Sequence, residues 1–404
     1  MNKILEFKNR LKFVRTRDLV QTIPMFVAFM CSFLYKLRHK HLWLICERRM
    51  EARDNGYWFF KYMREEHPEQ ECVYVIDVKS PDYDKVKSLG EVIPFCGFKH
   101  WLYYFTAEKN ISSQKGGKPN AALCFILEVY FGMIRNRVYL KHGIIKDDMK
   151  WVYYDVTKMS LFICAAYEEY NMIKEKFGYP RGSVVLTGLC RFDNLLTPHT
   201  VKRQILVMPT QREWLRVISS DTMKFEKTLK FEESEYFKTW SSLLANKKLA
   251  AVLERNNVQL LFYPHAAMQQ YVRLFESASE RIIIANRQKY DVQELLMESA
   301  LLITDYSSVF MDFAYMRKPL VYYHFDYEKY RQGQYQEGYF SYRDNGFGPV
   351  VELEDKLIME IEKVASLNFK MEPQYVQRTE NFFAYHDTHN CERVYKAIIN
   401  MKKN

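Results

Sequence analysis

Apolar residues along the chain fall into short runs that alternate with longer segments of helical periodicity. From residue 41 onward this is the pattern of buried strands joined by helices in a parallel sheet. Six strands are predicted in the first half: Leu42–Cys46, Cys72–Ile76, Glu91–Pro94, Val138–Lys141, Leu161–Cys164 and Val184–Leu186. Helices are predicted between them, among them Tyr57–Glu66, Phe98–Phe105 and Tyr167–Phe177.

The same alternation begins again in the second half. Five further strands are predicted: Ile205–Met208, Leu260–Tyr263, Ile282–Ala285, Leu301–Thr304 and Leu320–Tyr323. A turn at Thr197-Pro198-His199 separates the two series, and the charged, aromatic stretch Trp214–Ser242 is interpreted as a helical insertion or an acceptor-facing loop. The pattern therefore predicts two successive α/β domains with a cleft between them, residues 41–198 and 199–375.

The segment 1–40 has a different pattern, with an uncharged stretch, Leu19–Tyr35, between basic flanks. The flanking basic residues are Lys8, Arg10, Lys12, Arg15 and Arg17 before it and Lys36, Arg38 and Lys40 after it. A spanning helix needs about 20 apolar residues, and this stretch also contains polar residues. We expect a helix that lies on an anionic membrane surface, with its phenylalanines inserted. The alternative is a buried helix that packs on the first domain.

Composition indicates the charge of a binding partner but does not identify the partner. The chain of 404 residues has a formal net charge of +10, which favours an anionic partner. No zinc-finger spacing, helix-turn-helix signature or RNA-binding aromatic motif is present, so nucleic acid is not expected. The glycine motifs of dinucleotide-binding and P-loop proteins are absent as well. No cluster has metal-ligand spacing, so neither a metal nor another cofactor is expected.

Two histidines directly follow predicted strands, where α/β sheets bind their ligands. His142 comes after the run ending at Leu140 and is followed by Gly143, which lets the backbone bend closely past it. His265 takes the equivalent place in the second half, after Tyr263-Pro264. Because histidine titrates near neutral pH, either could remove a proton from an attacking hydroxyl or contact a phosphate. A structural loop histidine is the alternative for each.

The segment after the predicted strand Leu301–Thr304 indicates an anion site. Asp305-Tyr306-Ser307-Ser308 precedes a predicted helix, and the free N–H groups at a helix N-terminus attract phosphate. Ser307 and Ser308 would add hydroxyl donors to a pyrophosphate; ordinary helix capping by Asp305 or a serine is the alternative and is compatible with it. Arg212, after the first strand of the second half, could hold a phosphate.

These motifs, in this order, resemble the CDP-glycerol glycerophosphotransferase family, which includes teichoic-acid primases and polymerases and capsule-forming relatives. The resemblance runs from about His41 to Arg393 and is most specific over Leu301–Val350, which includes Asp305 to Ser308 and Asp312. Further elements are His142-Gly143, Gly188-x-x-Arg191-x-Asp193, Pro209-Thr210-x-Arg212, Pro264-His265 and Glu392-Arg393. The family's usual Thr and Pro after His-Gly are Ile144 and Ile145 here.

The resemblance implies a GT-B fold, with two Rossmann-like domains facing across a cleft, and transfer of an alditol phosphate from a CDP-alditol, most simply CDP-glycerol, with release of CMP. The acceptor would be a lipid-linked or oligomeric glycan or polyol phosphate, and the enzyme would be a peripheral, monotopic protein on the cytoplasmic membrane face. His142 would be the base, with Arg212, His265, Ser307 and Ser308 around the pyrophosphate. A C-terminal helix, residues 376–404, would return toward the first domain and bring Arg393 to the donor.

Two other functions stay open at this point. A GT-B glycosyltransferase that uses a nucleotide sugar would share the fold and the pyrophosphate site. A non-catalytic polymer- or lipid-binding protein could also keep the fold, although the two histidines and the Asp-Tyr-Ser-Ser element disfavour it.

Overall fold

The computed structural model describes residues 16–115, 117–133, 136–215, 217–218, 225–226, 231–286, 288–334 and 336–401. The chain forms two compact units. The first contains residues 1–144, 150–194 and 387–404, and the second contains residues 145–149 and 195–386. The change from the first unit to the second thus comes four residues before the boundary predicted from the turn at Thr197-Pro198-His199.

The first unit is built on a seven-stranded sheet in which all neighbouring strands are parallel. Its strands are β1 (Trp43–Cys46), β2 (Cys72–Ile76), β3 (Val92–Pro94), β4 (Lys109–Ser112), β5 (Arg137–Tyr139), β6 (Leu161–Cys164) and β7 (Val184–Leu186). The spatial order is β3-β2-β1-β4-β5-β6-β7, so the direction of winding reverses between β1 and β4. This reversal is the position at which open α/β sheets form a ligand crevice.

The second unit repeats the design with a six-stranded parallel sheet and a separate two-stranded antiparallel ribbon. Its strands are β8 (Lys202–Met208), β9 (Val217–Ile218), β10 (Phe225–Glu226), β11 (Gln259–Phe262), β12 (Ile282–Ile284), β13 (Ser299–Thr304), β14 (Leu320–Tyr323) and β15 (Val350–Val351). The large sheet has the order β12-β11-β8-β13-β14-β15, and its winding reverses between β8 and β13.

Helices connect the strands, as parallel pairing requires. In chain order they are α1 (Thr16–Val20), α2 (Thr22–Arg38), α3 (Asn55–Glu66), α4 (Tyr83–Lys87), α5 (Phe98–Thr106), α6 (Ala121–Phe125), α7 (Tyr154–Thr157), α8 (Tyr167–Lys176), α9 (Arg191–Leu195), α10 (Glu235–Leu244), α11 (Lys247–Arg255), α12 (Val292–Glu298), α13 (Val309–Tyr315), α14 (Tyr327–Gly333), α15 (Glu354–Ser366), α16 (Pro373–Phe382) and α17 (Asn390–Ile399). Short 3-10 turns and one π-helical turn, Ile126–Tyr130, complete the described elements.

The predicted class of two α/β domains with parallel sheets is confirmed, and all eleven predicted strands are present within a few residues of their predicted ends. Two strands of the large sheets were not predicted. β4 has the sequence Lys-Asn-Ile-Ser, in which only Ile111 is a large apolar residue, and β15 has two residues. Of the predicted insertion Trp214–Ser242, the described parts are a 3-10 turn, the β9–β10 ribbon and α10, whereas residues 216, 219–224 and 227–230 lie outside the described residues.

Helix α2 lies on the first unit with one face and exposes the other. Ala28 and Ser32 are buried, and the Phe29 ring contacts Phe105 of α5 with centroids 5.3 Å apart. On the other face Phe33 and Leu34 are 55% and 74% exposed. Such an apolar exposed face is unusual for a helix in water.

The helix is thus packed on one side, as the alternative of a helix packing on the first domain expects, and apolar on the other. Its position on a membrane surface stays a prediction. The stretch Asp18–Arg38, 21 residues long, is apolar enough to cross a membrane by length and composition alone. The basic residues Lys8, Arg10, Lys12 and Arg15 of the predicted first flank lie outside the described residues.

Helix α17 at the end of the chain belongs to the first unit, and Asp193 fixes its N-terminus. The Asp193 carboxylate accepts hydrogen bonds from the backbone N–H groups of Asn390 and Cys391, both at 2.8 Å, and from Asn390 Nδ2 at 2.7 Å. Gly188 is required beside this contact, because its φ is +84° and a Cβ there would lie 1.6 Å from Asn390 Oδ1.

We expect Asp193→Ala to lower the free energy of unfolding by about 2–3 kcal/mol, because three bonds to a carboxylate at a helix N-terminus are lost together. Urea denaturation measures the change. Asp155→Ala, which removes an exposed aspartate from α7, is the matched control and should change stability by less than about 0.5 kcal/mol. Equal stability of the two variants would show that α17 does not depend on this cap.

Candidate functional site

The residues predicted to carry chemistry lie mainly at the carboxyl edges of the two sheets. In the first unit His142 follows β5, three residues beyond its last paired position. In the second unit Thr210 and Arg212 follow β8, and Asp305 to Ser308 follow the neighbouring strand β13. Parallel strands bring their carboxyl ends to one edge of the sheet, and each group lies at that edge, near the reversal of its sheet.

His142 is paired with a carboxylate that the sequence patterns did not indicate. Its Nδ1 lies 2.6 Å from Oδ2 of Asp54, the residue that caps the N-terminus of α3. The His142 side chain is 61% exposed, whereas that of Asp54 is 12% exposed. An ionised Asp54 accepts the Nδ1 proton and so leaves Nε2 as the basic nitrogen of an accessible ring.

Buried groups hold this pair in position. Arg191 Nη1 donates to Asp54 Oδ1 at 3.0 Å and also to the backbone carbonyl of His142. Asn55 Nδ2 donates to the carbonyl of Lys141 at 2.9 Å, and Asn55 Oδ1 accepts from the N–H of Arg191 at 3.0 Å. Lys141 has a φ of +64°, an uncommon conformation for a residue with a side chain, and its ammonium group is buried against Glu169. The backbone that presents His142 is therefore fixed from several directions.

The environment keeps Asp54 ionised. Burial alone would raise the pKa of the Asp54 carboxyl, but the charges and hydrogen bonds of His142 and Arg191 outweigh it and hold the pKa below its usual range. The opposite holds for Glu47, which accepts from the backbone N–H groups of Arg53, Asp54 and Tyr57. Burial first, and then the negative charge of Asp54, raise the pKa of Glu47 well above that of an ordinary glutamate. Glu47 thus shapes the loop that carries Asp54.

In the second unit Arg212 lies in the interior. Its guanidinium is 0% exposed, donates to both carboxylate oxygens of Asp326 at 2.7 and 2.9 Å, and lies 2.9 Å from Asp305 Oδ2. It also donates to the carbonyl of Thr210 at 2.7 Å, and the Tyr306 hydroxyl donates to Asp326 Oδ1 at 3.0 Å. Direct phosphate contact by Arg212 stays a prediction, whereas these bonds show that it organises the loops after β8, β13 and β14.

The loops after β8 and β13 carry hydroxyl groups that have no hydrogen-bond partner among the described residues. Ser308 precedes α13 but makes no side-chain capping bond, and neither Ser307 nor Ser308 has a side-chain partner among the residues that the structure describes. The hydroxyl of Thr210 is buried without one as well. Since buried polar groups are nearly always bonded, the Thr210 hydroxyl is suited to a bound polar ligand. Ser307 and Ser308 are half-buried, and their hydroxyls could bond to the same ligand. The Asp305 carboxylate instead accepts from the N–H groups of Thr210 and Tyr306 at 2.8 and 2.6 Å.

His265 follows β11 and begins a 3-10 helix. Its ring is exposed, and its Nδ1 accepts from the N–H of Ala267 at 3.2 Å. A second histidine, His324 after β14, is buried and donates from Nε2 to the carbonyl of Asp305 at 3.0 Å. Burial lowers the pKa of His324 to about 3, so it is neutral at physiological pH and supports the Asp305 loop.

The other predicted residues have internal roles in this structure. Asp312 is buried on α13, and Gly143 lies directly after His142. Arg393 is part of the first unit, where its guanidinium donates to the carbonyl of Thr187 at 2.8 Å and to the Asp387 carboxylate at 2.8 and 2.9 Å. Contact of Arg393 with a donor stays a prediction. No group of three or more His, Cys, Asp or Glu side chains within the described ranges is placed to hold a metal ion.

Comparison with known proteins agrees with this arrangement. Residues 27–400 match the family described as CDP-Glycerol:Poly(glycerophosphate) glycerophosphotransferase. Over 371 residues, 90% of this chain, the sequence is 32% identical to the minor teichoic acid biosynthesis protein GgaB of Bacillus subtilis (strain 168), of which the match covers 40%. The chain spans less than half the length of the curated relatives it matches.

Solved structures share the fold at low identity. The wall teichoic acid polymerase TagF superposes with a TM-score of 0.66 at 16% identity, over 99% of this chain and 98% of the other. A TagF variant soaked with CDPG gives a TM-score of 0.65 at 15% identity, with both chains covered completely, 100% each. The family match extends over both parallel sheets and over His142, Arg212, His265 and Ser308, and the chain therefore belongs to the CDP-glycerol:poly(glycerophosphate) glycerophosphotransferase family.

Proposed function

We propose that this protein transfers an alditol phosphate, glycerol phosphate in the first place, from a CDP-alditol to a hydroxyl of a lipid-linked or oligomeric acceptor and releases CMP. The observation that carries the proposal is the pairing of exposed His142 with buried, ionised Asp54 at the carboxyl edge of the first sheet. A family member that acts by phosphotransfer needs such a base. The product would be a teichoic-acid-like or capsular polymer of the cell envelope.

In the reaction, His142 Nε2 removes the proton of the acceptor hydroxyl as that oxygen attacks the β-phosphorus of the donor. The new P–O bond forms the phosphodiester, the bond to the bridging oxygen breaks, and the electron pair leaves on CMP. Asp54 holds the imidazole in the required tautomer and stabilises the imidazolium that forms, while remaining ionised itself. Asp54 is therefore a positioning residue in this mechanism.

The donor's pyrophosphate is bound by the second unit. Ser307, Ser308 and Thr210 supply hydroxyl donors that the fold leaves without partners, and the N-terminal N–H groups of α13 add to them. His265 contacts the phosphates or protonates the leaving group. Arg212 supports this site through Asp305 and Asp326, and such preorganised donors stabilise the charge that develops in the transition state.

The protein acts as a peripheral, monotopic enzyme on the cytoplasmic face of the membrane. This part of the proposal is supported by the exposed apolar face of α2, on which Phe26, Phe33 and Leu34 are each more than half exposed. Because the opposite face of the helix is packed on α5, the geometry suits a helix lying in the membrane surface.

The donor is tested with a panel of CDP-glycerol, CDP-ribitol, UDP-sugars and CMP-sugars, each incubated with enzyme and an acceptor oligomer. We expect CMP release together with a mass gain of one or more phospho-alditol units, measured by mass spectrometry, with CDP-glycerol and CDP-ribitol as the active donors. The release of UDP from a UDP-sugar, with no reaction of any CDP-alditol, would instead assign the chain to nucleotide-sugar transfer.

His142→Ala should lower kcat by about 10²- to 10⁴-fold, the usual contribution of a general base, while the Kd of the donor stays unchanged. Calorimetric donor titration and a CMP-release assay measure the two quantities. His199→Ala, which removes an exposed loop histidine, is the control and should behave as the wild type. Normal turnover by His142→Ala would rule out this mechanism.

Ser307→Ala combined with Ser308→Ala should instead weaken donor binding. Each hydroxyl that bonds an ionised phosphate contributes about 1.5–3 kcal/mol, so we expect the donor Kd to rise at least about a hundredfold for the pair. Ser277→Ala, at an exposed position of the same unit, is the control. A donor Kd equal to that of the control would place the pyrophosphate elsewhere.

A further inference from the structure

A pocket lies in the first unit, at the end of α2. It has a volume of about 390 Å³, and its lining includes Lys36, Lys40, Thr106, Glu108, Met133 and Asn136. Thr106 ends α5, Glu108 precedes β4 and Asn136 precedes β5. The pocket is therefore at the amino-terminal edge of the sheet, opposite the edge that carries His142.

Several polar groups of this pocket lack partners within the protein. Neither ammonium group of Lys36 and Lys40 has an ion pair or hydrogen bond among the residues that the structure describes. Thr106 is 2% exposed, and its hydroxyl is buried without a partner, as is Oδ1 of Asn136. The one carboxylate in the lining, Glu108, lies 3.1 Å from His41 Nδ1. An unbonded buried polar group costs free energy, so two of them beside two unpaired cations indicate a missing polar, anionic ligand.

Hydrogen bonds and ring contacts hold the backbone around the pocket, whereas the side chains of Lys36 and Lys40 are exposed. Asn136 has a φ of +60°, and its carbonyl accepts from the N–H of Asn110 at 3.2 Å. His39, which precedes Lys40, stacks on Tyr35 with ring centroids 4.1 Å apart and contacts Glu71 through Nδ1 at 2.5 Å. Partial burial lowers the pKa of Lys36, an effect that a bound anion would reverse.

The surroundings indicate that the ligand is a lipid. Leu37 is 68% exposed one residue after Lys36, and Phe33 and Leu34 extend the apolar face along α2. Phe131 is 66% exposed and lies two residues before Met133 of the lining. A cationic pocket bordered by exposed apolar side chains matches a phospholipid, whose acyl chains and headgroup phosphate are covalently joined.

We infer that this pocket binds the headgroup of an anionic membrane phospholipid that carries a free hydroxyl, as phosphatidylglycerol does. Lys36 and Lys40 hold the phosphate, and a headgroup hydroxyl donates to Asn136 Oδ1 and accepts from Thr106. The strands between the pocket and His142 are three or four residues long, so the two sheet edges are about 10–15 Å apart. The bound lipid thus anchors and orients the first unit and takes no part in the reaction.

Vesicle flotation tests the site with lipid mixtures that differ only in the headgroup. Wild-type protein should bind vesicles of phosphatidylcholine with phosphatidylglycerol more tightly than vesicles of phosphatidylcholine alone. Phosphatidylmethanol has the same charge without the hydroxyls and should bind about fivefold more weakly than phosphatidylglycerol. Equal binding to the phosphatidylglycerol and phosphatidylmethanol mixtures would overturn the inference that the pocket binds the lipid headgroup.

Variants separate the pocket from general surface charge. Lys36→Met with Lys40→Met should weaken binding to phosphatidylglycerol vesicles about thirtyfold, whereas Lys174→Met with Lys176→Met on α8 removes the same charge and should have little effect. Thr106→Val keeps shape and charge and should weaken binding about fivefold. If Thr106→Val bound as the wild type did, the lysines would act as surface charges only and the inference would be wrong.

The inference rests on the membrane association proposed above, and three further measurements distinguish a failure of one proposal from a failure of the other. Phe33→Glu with Leu34→Glu should abolish flotation on every mixture, and wild-type protein that floats with none would overturn both proposals. Tight binding of soluble glycerophosphoglycerol without vesicles would assign the site to a free phosphodiester instead of a lipid. The Lys36 and Lys40 variant should retain wild-type CMP release with a soluble acceptor, because the pocket lies away from His142.

Discussion

Every pair of neighbouring strands in the two large sheets is parallel, and the positions of the candidate site residues depend on this constraint. Parallel strands expose all their carboxyl ends at one edge, and each loop from that edge leads into a helix. His142 after β5 and the Asp305–Ser308 segment after β13 both lie at such edges. The pocket lined by Lys36 lies at the opposite, amino-terminal edge of the first sheet.

In both units, buried ion pairs lie near loops that carry exposed candidate site residues. Arg212 with Asp305 and Asp326, and Lys141 with Glu169, are fully enclosed ion pairs. Pairs of this kind add little net stability, because the desolvation of each charge offsets its attraction to the other. They do fix the direction in which a loop leaves its strand, since a displaced loop would leave a charge buried and alone. The exposed side chain of His142 projects from a loop that is held in this way, since Lys141 directly precedes it.

The sequence predicted the architecture well because long apolar runs and helical periodicity are local signals. One of the two large-sheet strands that were not predicted is β4, because Lys109 and Asn110 interrupt its apolar pattern. In the structure β4 pairs with both β1 and β5, and Ile111 is completely buried. The strongest site candidates, His142 and Ser308, were predicted from position alone, since both follow strands. Asp54 was not found, because it lies 88 residues from His142 and resembles an ordinary helix cap. A capping aspartate after the first strand of such a sheet is the one signal that could have indicated it. The role of Arg212 at an anion site stays a prediction, and a sequence pattern cannot show that two aspartates already surround its guanidinium.

The return of α17 to the first unit has a consequence for the order in which the protein can fold during synthesis. Residues 387–401 leave the ribosome only after the whole of the second unit. Asp193 and Gly188 of the first unit can contact Asn390 only after that point. Until then the first unit lacks a helix that covers part of its surface, and Trp43 lacks its neighbour Tyr395. The first unit is synthesised first and completed last, so the emerging chain carries an unfinished apolar surface for as long as the ribosome needs to make the remaining half.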